Sequence, residues 1–263
     1  ERVRHPLALR RLTVSAVDPV APCMVRVTLV GPELAGFTAP APADHVKVFF
    51  PDPAGVLTVP TVTEDGISRP ETGTIIARDY TPLEYRPDVD EVDIDFVLHG
   101  DDGPASAWAT RAEPGMTLAI AGPRGSHLPP VGAGRAVVVA DETALPAAAR
   151  WLDALAPDVP VTALLSVADP DTARYLDEGP GRELRWFAGD GRDARLEAAL
   201  RELDLDDGAF AFLAGEAGTI VPLRRYLRRE LGLAKEQVDA HGYWKHGVVN
   251  LDHHAPLDPA DPE

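Results

Sequence analysis

The chain has 263 residues and a mass of 28.1 kDa, room for two modest domains or one large one. Hydrophobic residues make up 45% and charged residues 25%, which excludes disorder for the bulk of the chain, and no apolar run nears the ~18–20 residues needed to span a bilayer. The formal charge of −17 is spread over both halves, with 11 basic and 18 acidic side chains in residues 1–131 and 14 and 24 in residues 132–263, so neither a nucleic acid nor a membrane surface is expected as a partner.

The first half reads as β. Met24–Val30, His45–Phe50, Gly73–Tyr80, Val92–Leu98 and Met116–Ala121 are short, rich in Val, Ile, Thr and Phe, and separated by Pro/Gly/Asp turns. Antiparallel strands at this spacing suggest a small closed barrel. Between the last two, Gly103-Pro104-Ala105-Ser106-Ala107-Trp108-Ala109 suggests a short helix with Pro104 near its first turn. After the turn-rich segment 129–134 the pattern alternates. Strands at Arg135–Ala140, Val161–Val167, Leu184–Phe187 and Ala209–Leu213 are each followed by a helix, at Thr143–Leu155, Asp171–Leu176, Ala194–Leu203 and Ile220–Leu231. That alternation indicates βαβ units on a mostly parallel sheet. The expected organisation is a β-barrel domain at 1–131, an α/β domain at 132–251 and a loose acidic tail at 252–263. In open α/β sheets ligands sit beyond the carboxyl ends of the strands.

Cys23 is the only cysteine, which excludes an internal disulfide and any thiolate metal site. No signal-peptide pattern opens the chain, so a reducing cytoplasm is the expected location. His241, His246, His253 and His254 crowd the C-terminus, but their spacing fits no regular ligand pair, and no metal is expected. Ser106, Ser126 and Ser166 lack the Gly-x-Ser-x-Gly elbow of a serine hydrolase.

The chemistry-bearing residues concentrate in Arg78-Asp79-Tyr80-Thr81, Asp93 to Gly100 and Gly103 to Ser106. A tyrosine offers a flat face, an arginine a fork for phosphate, and a glycine-initiated helix start free N–H groups for an anion. Together these suit a ligand with a planar ring and a pyrophosphate. Each piece also has an ordinary reading as strand-end charge, half-buried barrel tyrosine and turn, and the residues alone do not decide between the two.

Arg-x-Tyr-Thr, the Asp-Phe-Val-Leu-His-Gly run and Gly-Pro-Ala-Ser-x-Trp-Ala, in this order and spacing, resemble the siderophore-interacting protein family, flavin reductases of the wider ferredoxin-reductase-like superfamily. The likeness continues through Ala121 to Ser126, Asp141 to Pro146, Ala214-Gly215-Glu216 and Gly242-Tyr243-Trp244-Lys245. The resemblance implies non-covalent FAD on the barrel, NADH or NADPH at the α/β domain, and reduction of a ferric siderophore; a monomer is expected. Hydride would pass from nicotinamide to flavin and single electrons from flavin to Fe(III), with no side chain needed as a catalytic acid or base. It also assigns residues. Arg78, Tyr80 and Thr81 would hold the ring end and phosphate of FAD, Val97 and His99 would line the flavin, and Gly103, Pro104, Ala105 and Ser106 would cradle its pyrophosphate. The family commonly has a second arginine two residues after the threonine. Here Leu83 stands there, with Arg86 as the candidate substitute.

On the nucleotide side no Gly-x-Gly-x-x-Gly follows the strand at Arg135–Ala140. The resemblance assigns the role to Asp141, Glu142 and Thr143 with Ala214, Gly215, Glu216 and Trp244, while a helix cap at Thr143 is an equally ordinary reading. Asp169 is a candidate for a ribose 2′-hydroxyl, which would favour NADH. Arg174 and Arg192 lie in segments suited to a 2′-phosphate, which leaves the donor open. Lys47, Arg124 and Lys245 are the candidate electropositive contacts for an anionic ferric siderophore. A generic flavin reductase, and a flavin- or siderophore-binding protein without turnover, remain the alternatives.

Overall fold

The computed structural model describes residues 2–63, 66–100, 103–206, 208–249, 251 and 255–261. The chain divides into two compact units, Glu1–Leu128 and Pro129–Glu263.

The first unit is antiparallel. Its strands are β1 (Arg2–Arg4), β2 (Leu9–Ala21), β3 (Met24–Val30), β4 (Val46–Phe50), the short hairpin β5 (Thr61–Thr63) and β6 (Gly66–Ser68), then β7 (Ile76–Tyr80), β8 (Pro82–Arg86), β9 (Glu91–Val97), β10 (Thr117–Ala121) and β11 (Gly125–His127). Seven of them form one curled sheet in the order β7-β4-β10-β2-β3-β9-β8. The expected closed barrel is therefore open in hydrogen-bonding terms. Its two edge strands, β7 and β8, are nevertheless consecutive and separated only by Thr81, so the chain itself carries one edge into the other. Alternation builds the core: Leu12, Val14, Val27, Leu29, Val46, Val48, Phe50, Ile94 and Phe96 are buried in one cluster. Helix α1 (Pro104–Ala109) adds Trp108 to it and packs against β4, β7 and β9. Long β2 escapes a simple periodic reading because its register shifts twice, between Val14 and Ala16 and between Pro19 and Ala21. Strand β1 pairs with β11, fastened by a buried chain in which Ser126 Oγ donates to Asp44 Oδ2 at 2.7 Å and lies 2.7 Å from His5 Nε2.

The second unit is a parallel sheet of β12 (Arg135–Asp141), β13 (Val161–Val167), β14 (Arg182–Ala188), β15 (Ala209–Glu216) and β16 (Val238–Trp244), in the order β14-β13-β12-β15-β16. Helices α2 (Leu145–Ala154), α3 (Arg192–Arg201) and α4 (Ala217–Arg225) flank it, and α4 runs on into a π-helical segment at Tyr226–Glu230. The sheet thus has five strands rather than the four expected. The tail is also not loose where it is described. Leu257 packs against the core beside β15 and α4, Arg225 Nε donates to Asp258 Oδ2 at 2.5 Å, and Asp261 pairs with Arg224 and Arg229. No helix among the described residues is long and apolar enough to cross a membrane.

Candidate functional site

In the first unit the sequence candidates gather where the curled sheet changes edge. Directly opposed residues of an antiparallel pair share a face, so Tyr80 opposite Val46 and Arg78 opposite Val48 lie on the core side of β7, and Lys47 with Asp79 on the other side. Tyr80 sits 4.5 Å from the Phe96 ring and 6.3 Å from that of Phe50, and burial pushes its phenol well above the usual range. Thr81 is buried. Helix α1 brings Gly103, Pro104, Ala105 and Ser106 to the same corner. Its N-cap Gly103 supplies no side-chain cap, so the first-turn amides of Ala105 and Ser106 have no intrahelical or cap acceptor. The Ser106 side chain does something other than face a ligand. It is 1% exposed, and its Oγ accepts from His99 N at 2.9 Å and donates to Gly100 O at 2.7 Å. It thereby ties the loop after Val97 and β9 to the helix start. A guanidinium, a half-exposed aromatic face and uncapped amides are the donor set a flavin dinucleotide needs, and they fit it.

Two cationic candidates are already engaged. Arg86 forks onto Asp93 at 2.7 and 2.8 Å and also reaches Glu91 and Glu84, joining β8 to β9, so it does not replace the family's second arginine beyond Leu83. Desolvation would raise the Asp93 carboxyl, but the Arg86 and Thr28 hydrogen bonds outweigh it and hold the carboxyl below its ordinary value. Lys47 Nζ donates to both Asp79 oxygens, at 2.8 and 3.0 Å. Arg124 is exposed between β10 and β11.

In the second unit the candidates converge at the carboxyl ends of β12, β15 and β16. Asp141 Oδ1 accepts from Thr143 N at 2.9 Å and Thr143 Oγ1 at 2.5 Å, and Oδ2 accepts from Glu216 N at 2.8 Å and Trp244 Nε1 at 2.7 Å. Burial pushes this carboxyl up, against the pull of the Thr143 and Trp244 hydrogen bonds. Asp141, rather than Thr143, is the cap residue. Buried Ala214 leads into Gly215, where a Cβ would lie 2.7 Å from Asp141 Cγ. Glu216 caps α4 through Thr219 N and accepts from His246 N, while Glu142 accepts from Ala168 N and faces Arg192 at 3.6 Å. Trp244 is 40% exposed, and Lys245 is exposed beyond it.

Asp169 Oδ1 accepts from Asp171 N at 2.8 Å and caps the turn that follows β13. Sequence reasoning missed an open cleft of about 430 Å³ lined by Ala168 and Gly189 to Ala194, at the carboxyl edge of β13 and β14. The signal was present in Gly189-Asp190-Gly191, a turn directly before a helix. His241 Nε2 lies 2.7 Å from Asp239 Oδ1, and His253 and His254 lie outside the described residues.

A curled antiparallel sheet followed by a five-stranded parallel sheet is the architecture of ferredoxin-reductase-like flavin and nicotinamide proteins. A ferredoxin reductase of carbazole 1,9a-dioxygenase shares it with a TM-score of 0.64 at 17% identity, over 91% of this chain and 70% of that one. Residues 13–127 match the siderophore-interacting FAD-binding domain and residues 133–247 the siderophore-interacting protein domain, so the chain belongs to the siderophore-interacting protein family. An NADPH-dependent ferric-chelate reductase of Escherichia coli (strain K12) is 38% identical over 247 residues, 93% of this chain and 96% of the relative. The crystal structure of a siderophore utilization protein from T. fusca superposes with a TM-score of 0.88 at 40% identity, covering 97% of this chain and all of the other.

Proposed function

We propose that the protein is an FAD-dependent NAD(P)H:ferric-siderophore oxidoreductase. The observation that carries this reading is the Arg78-Tyr80-Thr81 corner at the end of β7, which packs against the uncapped helix α1, within a chain matched along both units by the siderophore-interacting family. When bound, FAD supplies the chemistry of taking two electrons from the nicotinamide and giving them singly to iron.

The chain supplies the binding and orientation. Arg78 meets phosphate, and the Tyr80 ring, backed by Phe96 and Phe50, gives the isoalloxazine a rigid wall. Thr81, Val97 and His99 border the ring, and the amides of Gly103, Ala105 and Ser106 face the pyrophosphate, with Pro104 fixing the helix entry. The donor nucleotide lies along the carboxyl edge of β12 to β16, with Glu142, Thr143, Ala214, Gly215, Glu216 and Trp244 beside it. NADPH is the donor we favour, as in the name of the Escherichia coli relative, because Arg192 lines the cleft at the carboxyl edge of β13 and β14. Lys47 and Arg124 on the first unit are contacts for an anionic ferric siderophore, and Lys245 on the second is a separate candidate contact. The protein acts as a cytoplasmic monomer.

Denaturing the purified protein and identifying the released flavin tests the first step. FAD is expected, and recovery of FMN alone rejects the site. Tyr80→Ala should weaken FAD retention by about 1–3 kcal/mol. Anaerobic bleaching by NADPH or NADH, then reoxidation by ferric chelates, tests the rest. Turnover with dyes but not with iron chelates would make the protein a generic flavin reductase.

A further inference from the structure

Among the large exposed hydrophobic residues described, Trp244 is the only aromatic one. It ends β16 at the carboxyl edge of the parallel sheet, and its one polar atom points inward to Asp141. A carboxylate has about four acceptor positions. Those of Asp141 are filled by Thr143 N, Thr143 Oγ1, Glu216 N and Trp244 Nε1. No acceptor capacity remains for a ribose hydroxyl or a carboxamide, so direct recognition of the nucleotide, the role the sequence suggested for Asp141, does not suit this geometry.

We propose that Asp141 is a positioning residue that acts through Trp244, fixing the indole so that its exposed face stacks on a flat ring of the donor nucleotide. The proposal rests on the reading of Trp244 as a nucleotide contact. The indole is hydrogen-bonded only at Nε1 and is 40% exposed, and a stacking platform works in proportion to how little freedom it must lose. The neighbouring carboxylate reinforces the arrangement, because Glu216 Oε1 accepts from His246 N two residues along. Two buried-side acceptors thus hold the segment from Trp244 to His246, one through a side chain and one through the backbone. Gly215 allows it, since a side chain there would occupy the space of the Asp141 carboxyl group.

The test is a set of calorimetric titrations of the FAD-loaded protein with NADP+, repeated with nicotinamide mononucleotide and with 2′,5′-ADP to tell which ring meets the indole. Trp244→Ala should raise the Kd for NADP+ about 10-fold, within the range of base–aromatic stacking. Trp244→Phe, which keeps a ring but deletes the hydrogen bond, should raise it about 2- to 4-fold. Asp141→Asn should raise it about 5-fold alone and less than about 2-fold when Trp244 is already alanine, because the two act as one unit. Iodide should quench Trp244 fluorescence more readily in Asp141→Asn, and NADP+ should protect it.

An unchanged Kd in Trp244→Ala removes Trp244 from the nucleotide site and so sinks the reading on which the proposal rests. A Trp244→Ala loss combined with an Asp141→Asn loss that is equal in both backgrounds overturns the positioning role alone. If Asp141→Asn does not fold, Trp244→Phe still decides. It breaks the same bond from the indole side, and tight binding equal to the unmodified protein refutes the proposal.

Discussion

Replacing Gly215 by alanine should disable the second unit while leaving the first intact. Gly215 has φ of +147°, a region that side chains rarely enter, and a Cβ there would lie 2.7 Å from both Cγ and Oδ2 of Asp141 and 3.1 Å from Oδ1. The backbone strain costs roughly 1–3 kcal/mol. The carboxylate must also shift, loosening hydrogen bonds worth about 1.5–3 kcal/mol each because one partner is charged. If only one bond is lost outright, the sum is about 2.5–6 kcal/mol, a large part of the ~5–15 kcal/mol that holds a typical domain. Calorimetry of the whole protein should show the transition of the second unit lowered by more than about 10 °C. Flavin release, which reports the first unit, should not move. Gly232→Ala is the control, since its φ of +75° is also left-handed but open space surrounds it. It should cost only the backbone share. A Gly215→Ala protein as stable as the control would refute the close packing of Gly215 on the Asp141 carboxylate.

Other expectations follow from the ion pairs. At low ionic strength Asp79→Asn should lower KM for an anionic ferric chelate about 2- to 5-fold and Lys47→Ala should raise it, because an exposed pair trades roughly 0.2–1 kcal/mol with its surroundings. Equal shifts with a neutral chelate would remove both residues from the substrate path. Arg26→Ala should destabilise the first unit by on the order of 2–4 kcal/mol, since it strips a bidentate partner at 2.8 and 2.9 Å from the buried Asp95 carboxylate. Urea unfolding followed by flavin release would show it, and a loss below ~0.5 kcal/mol contradicts the assignment. Desolvation opposes charge on His241, but Asp239 outweighs it and holds the imidazole above its ordinary value. Its contribution, about 0.2–1 kcal/mol for so exposed a pair, is present below pH ~6.5 and lost as pH rises through the raised value. Thermal midpoints at pH 6 and 8 should therefore converge in His241→Asn relative to the unmodified protein, and parallel curves would deny the pair any role.

What could be read in advance was what local pattern encodes. Strand β13 is almost wholly buried and matched its apolar run from Val161 to Val167, as central strands of a parallel sheet do. Strand β16 did not announce itself, because Val238-Asp239-Ala240-His241-Gly242-Tyr243-Trp244 is a half-polar edge with no fully buried residue. The docking of Asp258 and Asp261 onto Arg225, Arg224 and Arg229 spans more than thirty residues of sequence and has no periodic signature. The candidate site divides in the same way. The Arg78-Tyr80-Thr81 corner was visible as a motif. The saturation of Asp141 depends on donors 75 and 103 residues away, and only the tertiary arrangement brings them together.

Pairing β1 with β11 has a consequence for how such a chain can be rearranged. Residues 2–4 lie beside 125–127, so the first unit departs from the place where it began, and its backbone is in effect a ring opened at one point. A ring can be opened elsewhere. Joining its ends and cutting instead at the turn 87–90, between β8 and β9, would preserve every strand pairing of the unit. Severing the chain between Leu128 and Pro129 likewise breaks no ladder in either sheet. Every strand ladder among the described residues therefore lies within one unit or the other.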